Sequence, residues 1–370
     1  MANSAMRSSR LARRARDIVL GLACAVLAVS GGYAHASDSE RMSQIARTAA
    51  VDLGGAGLLH YYIAYRPSGD IPRRQEVVSA LIAIHGHPRD ANRTLGAAAL
   101  AAEQAGRDAD TVVVAPLFQV ATAEDDRCHY RGNPKAHGDD VLWTCESWIG
   151  GERAEGGGPT SFAALDRLVA QLVEQWPRLR TVTVAGFSAG AQYVQRYIGF
   201  ARPPEGVRLR YVVSDPGTWL YFDPQRPVPT IGGHSVDWSQ CRDVACEFDW
   251  QPGGADCANA NQWKYGTDNL PAALGSSPAQ ARERYAAADV AYLEGGRDAG
   301  QGHDTFYRIL DKSCAAELQG PDRLTRGRGY AAYDRRFLSD RHRLTVVPDC
   351  AHEVTCVFPS AAAGPALFPE

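Results

Sequence analysis

The stretch Gly186-Phe187-Ser188-Ala189-Gly190 constrains this 370-residue chain more than any other. It reads G-x-S-x-G. Thr181-Val182-Thr183-Val184 precedes it, an apolar, β-branched run of the kind that forms a buried strand. Ala191 to Ile198 follow, with Val194, Tyr197 and Ile198 at helical spacing. A strand that turns into a helix through one residue brings neighbouring backbone together. Small residues at 186, 189 and 190 let that turn form and leave the Ser188 hydroxyl free at the strand end.

The N-terminus sets the compartment. Five arginines (Arg7, Arg10, Arg13, Arg14, Arg16) precede an apolar run from Ile18 to Val29, and Ala34-His35-Ala36 gives a small-x-small cleavage pattern. Residues 1–36 read as a signal peptide, which makes the mature protein secreted or periplasmic. Their removal takes away five Arg and one Asp, so the net charge moves from −3 to −7. No basic run survives, which argues against nucleic acid as a partner. Eight cysteines remain once Cys24 leaves with the leader. An even number in an exported chain reads as disulfides; eight cysteines allow 105 connectivities and the sequence does not fix one, while pairing near neighbours as Cys128–Cys145, Cys241–Cys246 and Cys350–Cys356 leaves Cys257–Cys314. A metal site on Cys350, His352 and Cys356 is the rival reading. It lacks a second ligand pair at zinc spacing, so neither metal nor cofactor is expected.

The remaining chain alternates strands and helices. Strands are expected at Leu59–Ala64, Val77–Ile84, Thr111–Ala115, Thr181–Val184, Arg210–Val213, Val290–Leu293 and Leu344–Val347. Helices are expected at Leu95–Ala105, Phe162–Trp176, after Ser188, and at Ala331–Leu338. Residues 37–58 show no pattern. This alternation implies one α/β domain over residues 37–370, with a mostly parallel sheet covered by helices on both faces. Two insertions interrupt it. Residues 120–158 hold Cys128 and Cys145, and residues 218–287 carry four tryptophans and three cysteines without alternating, which reads as a cap.

A serine hydroxyl needs a base, and the base needs an acid to fix its tautomer. His352 follows the last strand. Asp298 follows the strand Val290–Leu293, giving the chain order Ser, Asp, His. Asp215 and Asp304 are the alternatives to Asp298. Two N–H groups should face a developing oxyanion: that of Ala189, and that of His87 in the His85-Gly86-His87-Pro88 turn. Trp148, Trp219 and Trp263 are candidates for an acyl or aromatic subsite.

These residues together resemble the α/β-hydrolase superfamily of serine esterases. Ile84-His85-Gly86-His87-Pro88-Arg89-Asp90, Gly186 to Gln192 and Trp263-Lys264-Tyr265-Gly266 resemble bacterial exported esterases similar to polyhydroxybutyrate depolymerases. The resemblance implies ester hydrolysis through an acyl-serine intermediate on a small-molecule or polymeric ester. A polyester depolymerase and a feruloyl or acetylxylan esterase are the alternatives among enzymes. A non-catalytic binding protein on the same scaffold is the alternative outside them.

Overall fold

The computed structural model describes residues 45–130, 133–241, 244, 246–254 and 256–368. The leader reading of residues 1–36 lies outside them. Eight strands form the central sheet: β1 (Ala46–Asp52), β2 (Leu58–Ala64), β3 (Ser79–Ile84), β4 (Thr111–Pro116), β5 (Thr181–Phe187), β6 (Arg208–Ser214), β7 (Val290–Gly295) and β8 (Arg343–Val347). Their spatial order is β1-β2-β4-β3-β5-β6-β7-β8. Only β2 runs against the others.

The central strands are apolar because helices cover both faces. β4 is buried at all six positions, and β3 and β5 at all but their first. One face packs on α1 (Ala91–Gln104), whose Leu95, Ala98 and Ala102 meet Leu81, Val113 and the C-terminal Phe358 in one buried cluster. The other face packs on α2 (Ser161–Gln175) and α3 (Ala189–Tyr197) through Leu165, Leu168, Tyr193 and Val194. Thr160 caps α2 by accepting the Ala163 N–H at 3.0 Å, and Pro177 follows its end.

β1 is the strand that the sequence pattern does not reveal. Its burial alternates poorly, because it is an edge strand held by pairing with β2 from Ala46↔Ala64 to Asp52↔Leu58. The helix expected at Ala331–Leu338 begins earlier: α5 spans Arg323–Phe337, after α4 at Pro278–Ala287. Gly327 and Gly329 mask its first half in the sequence. Gly327 is required by a neighbour, since a Cβ there would lie 2.2 Å from Oε1 of the buried Glu294.

The two insertions have structures of their own. In the first, Gln119–Val120 pairs with Leu142–Trp143, and the Cys128–Cys145 disulfide closes the loop between them. The second holds an antiparallel sheet in which Gln225–Ile231 lies between His234–Ser235 and Glu247–Pro252. Pro227 and Pro229 hide the middle strand from any sequence pattern. Trp250 sets its ring against Tyr333 and Phe337 of α5, so this part of the insertion buttresses α5.

All four expected disulfides are present. Cys241–Cys246 lies within the second insertion, and Cys257–Cys314 ties that insertion to the segment before α5. Among the described residues no helix is long and apolar enough to cross a membrane.

Loop closure ranks the bridges. Cys257–Cys314 spans 57 residues, worth about 4 kcal/mol in the chain-entropy picture, against about 2 kcal/mol for the 5 residues of Cys241–Cys246. The Cys257→Ser, Cys314→Ser pair should therefore lower the melting temperature more than Cys241→Ser, Cys246→Ser, as measured by calorimetry.

Candidate active site

The sheet register brings the strand ends together. Ile84 pairs with Gly186, Phe187 with Ser214, and Leu293 with Ser214, so β3, β5, β6 and β7 end side by side. Ser188 comes immediately after β5, with φ 58° and ψ −118°, a left-handed conformation that non-glycine residues seldom adopt. It is held from both sides. Its N–H donates to Ser214 O at 3.0 Å, and its carbonyl accepts the Gln192 N–H at 3.1 Å. The turn leaves no room for side chains at the flanking glycines. A Cβ on Gly186 would lie 2.2 Å from Gly190 O, and one on Gly190 would lie 2.3 Å from Ile84 O.

His352 lies beyond β8 and its Nε2 is 2.9 Å from Ser188 Oγ. Its Nδ1 is 2.7 Å from Asp298 Oδ2. The neutral imidazole that accepts the serine proton at Nε2 carries its own proton at Nδ1, facing the carboxylate. The imidazole sits between two rings: Phe187 at 4.7 Å and Phe306 at 5.9 Å. Its backbone N–H donates to Asp304 O at 3.2 Å. The Cys350–Cys356 disulfide brackets it, and this bond consumes the two thiols that a metal site on those residues would need.

Asp298 is anchored by α5. Its carbonyl accepts the Leu324 N–H at 3.1 Å, and Arg323 Nη1 lies 3.5 Å from its Oδ1. Of the two alternatives, Asp304 is half-exposed and pairs with Arg297 at 3.2 Å. Asp215 is fully buried beside Asp298, on the neighbouring strand end.

The loop after β3 is shaped from behind. The buried His85 donates from Nδ1 to Gly86 O at 2.9 Å and accepts the Phe118 N–H at Nε2 at 3.2 Å. Burial pushes its pKa down to about 3, so it stays neutral in that tautomer. Arg89, fully buried at φ 63°, reaches into the first insertion. It donates to Cys128 O at 3.2 Å and Gln119 Oε1 at 3.0 Å, and pairs with Asp125. Gly86 N–H donates to Asp90 Oδ1 at 2.9 Å. The N–H groups of His87 and Ala189 are left without a partner among the described residues, at the end of β3 and the start of α3.

Two of the three tryptophans fall differently from the subsite expectation. Trp148 and Trp219 have no exposed surface. Trp148 stacks on Phe118 at 5.3 Å and meets His85 at 4.6 Å, so it supports the loop from below. Trp219 stacks on Tyr330 at 4.3 Å. Both are core residues and cannot line an open subsite. Trp263 is half-buried, edge-on to Phe200 at 5.9 Å. Exposed apolar surface next to His352 comes instead from Phe306, in the loop between Asp298 and α5. Phe306 is 44% exposed and Ile309 63%. With Gln301, Gly302, His303, Tyr307, Arg308 and Lys312 they border a cavity of about 600 Å³ that carries two cationic side chains. Sequence reading passed over this loop because it follows neither strand nor helix periodicity. The signal was there as Phe306 and Ile309 eight and eleven residues after the candidate acid.

Solved structures carry the same architecture. Poly(aspartic acid) hydrolase-1 from Sphingomonas sp. KT-1 superposes with a TM-score of 0.56 at 19% identity, over 87% of this chain and 98% of its own. The chain has the α/β-hydrolase fold. LpqC, a poly(3-hydroxybutyrate) depolymerase from Bordetella parapertussis, superposes with a TM-score of 0.53 at 18% identity, over 89% of this chain and 94% of its own. By sequence, no protein-family model and no curated protein matches the chain. In this α/β-hydrolase scaffold the Ser188, Asp298 and His352 side chains stand at neighbouring strand ends.

The acid and base titrate as one unit. With Asp298 ionised and His352 neutral the pair holds one buried negative charge, and a single proton neutralises it. Burial accordingly pushes Asp298 up to about 7, against the pull of Arg323. A second proton would create a buried cation. Burial, then the Arg323 charge, hold His352 well below its usual value. The first proton is therefore the one that would stop His352 from taking the Ser188 proton. The second-order rate of fluorophosphonate labelling at Ser188 should be level above about pH 7 and fall tenfold per pH unit below it. Rates measured from pH 5 to 9 check this.

Proposed function

We propose that this chain is an exported serine hydrolase that cleaves carboxylic esters through an acyl-serine intermediate. The observation that carries the reading is the continuous relay from Asp298 through His352 to Ser188 Oγ, at 2.7 and 2.9 Å. Two unengaged N–H groups, those of Ala189 and His87, support it. His352 Nε2 takes the Ser188 proton as Oγ attacks the ester carbonyl. Asp298 stabilises the imidazolium, and the two N–H groups receive the oxyanion. His352 returns the proton to the departing alcohol. A water, deprotonated by the same nitrogen, then attacks the acyl-serine and releases the acid. The leader-like residues 1–36 and the four disulfides support export.

The Phe306–Ile309 lip supports an ester with an apolar chain as the substrate class. Apolar surface left exposed beside a base is a seat for an apolar chain. Phe306 joins the lip to His352, so a chain lying there would have its ester end near Ser188. The lip is open rather than enclosed, which also suits one segment of a polyester. The name of the Bordetella neighbour points the same way. A non-catalytic binding role would leave the aligned relay without purpose.

Hydrolysis of p-nitrophenyl esters from acetate to octanoate tests the chemistry. The native protein should turn them over, and Ser188→Ala should lose on the order of 10⁴-fold or more in kcat. Equal rates for the two proteins would end the proposal.

The same series tests the lip. In the native protein kcat/KM should climb with chain length, since each buried methylene contributes about 0.8 kcal/mol. Phe306→Ser should flatten that climb. Ile231→Ser, an equally apolar exposed change on the insertion sheet, should not.

A further inference from the structure

The acid end of the relay holds more carboxyl groups than one histidine needs. Asp215, Asp298 and His352 each place one nitrogen or carboxylate oxygen within 4.8 Å of the other two, and all three are buried. Asp215 closes β6 and Asp298 follows β7, so the two acids reach the imidazole from adjacent strands. Asp215 accepts the Gly295 N–H at 2.6 Å on Oδ1 and lies 2.7 Å from Ser214 Oγ through Oδ2. A carboxylate has room for about four donors, so these two leave it free to take another. Its backbone is fixed, with φ 52° and its N–H donating to Leu293 O at 3.0 Å.

We propose that Asp215 is a reserve acid, a positioning residue able to hold the His352 imidazole when Asp298 cannot. This rests on the acyl-serine reading of the site. In the native protein two carboxyls this close and this buried cannot both be ionised. Arg323, 3.5 Å from Asp298 Oδ1, decides which one carries the charge. Asp298 is the ionised partner and Asp215 keeps the proton. Replacing Asp298 by Asn removes the competing charge and leaves Arg323 in place. Asp215 then loses its proton to solvent and becomes the anion that faces His352. Asp322 and Glu294 are the other acids of this neighbourhood, and Glu353 and Arg93 the remaining charges around the imidazole. Glu294 points at α5, where its Oε1 abuts the Gly327 position, so it has no path to the ring.

The test is a double-mutant cycle on the full chain. Asp298→Asn should lose about 10²-fold in kcat/KM, and the Asp298→Asn, Asp215→Asn pair about 10⁴-fold, the loss seen when such an acid is neutralised with no substitute. Asp215→Asn should therefore cost far more in the Asp298→Asn background than in the native one. Equal costs in both backgrounds, or an Asp298→Asn protein already at the Ser188→Ala level, would overturn the proposal. Asp298→Ala is run in parallel in case the Asn variant does not fold, with melting curves for each. A readout independent of turnover is the downfield proton resonance of the His352 Nδ1–H against a carboxylate. It should persist in the Asp298 single variant and vanish in the double. Persistence in both, or loss already in the single variant, would also overturn it. Should the native protein hydrolyse no ester, the acyl-serine reading fails, whereas the resonance still reports on Asp215.

Discussion

The structure hangs on one backbone contact, the approach of Gly190 to the carbonyls of Ile84 and His85. A Cβ on residue 190 would lie 2.3 and 2.5 Å from those two oxygens. With none there, the start of α3 drops onto the end of β3. That contact fixes the angle at which Ser188 leaves β5, and it brings the loop at residues 85–90 beside the Ala189 N–H. The parallel register of β3 with β5 then passes the alignment on to β6 and β7. Everything at the carboxyl edge of the sheet is placed relative to this one close packing of main chain against main chain.

How much of this could be read from the sequence depended on whether a residue obeys a local rule. Ser188, Asp298 and His352 were legible because each follows an apolar strand run, and strand ends converge in an open parallel sheet. The helices α1, α2 and α3 were legible from apolar periodicity. Three disulfides were legible because near neighbours close small rings, and Cys257–Cys314, across 57 residues, was only the pair they left over. The failures were all non-local. β1 exists through its partner β2, not through its own pattern. Trp148 and Trp219 look like subsite residues because large aromatics near a site attract that reading, yet only packing shows that both are enclosed by other rings. Gly327 hides half of α5 for the sake of a glutamate thirty-three residues earlier. Arg89 was quoted only as part of a motif, since nothing local says that its guanidinium is buried against residues 119–128.

Buried charge is the other theme. Asp215, Glu294 and Asp298 lie within one electrostatic neighbourhood with Arg323 as the nearby cation. Removing a carboxylate from water costs several kcal/mol unless it is paired or protonated. Glu294 accepts no hydrogen bond through either oxygen, and burial drives it well above the usual carboxyl range, toward the neutral acid. Burial raises all three carboxyls above their usual range, so the cluster beside His352 does not carry its full negative charge. Stability is given up locally so that the imidazole has a fixed partner in a dry setting, where that partner acts most strongly.

The tether from Arg89 to Cys128 O, Gln119 and Asp125 has a consequence for anyone reshaping this protein. The disulfide-closed loop holds neither Ser188 nor His352, and it invites trimming as surface decoration. Cutting residues 120–158 would take the Cys128 and Asp125 acceptors from a buried guanidinium and leave it only Gln119. The strained turn that Arg89 closes would lose its brace, and with it the orientation of the neighbouring amides. The loop is thus part of the scaffold that an engineer should graft along with the strand ends, not ornament to be pared away.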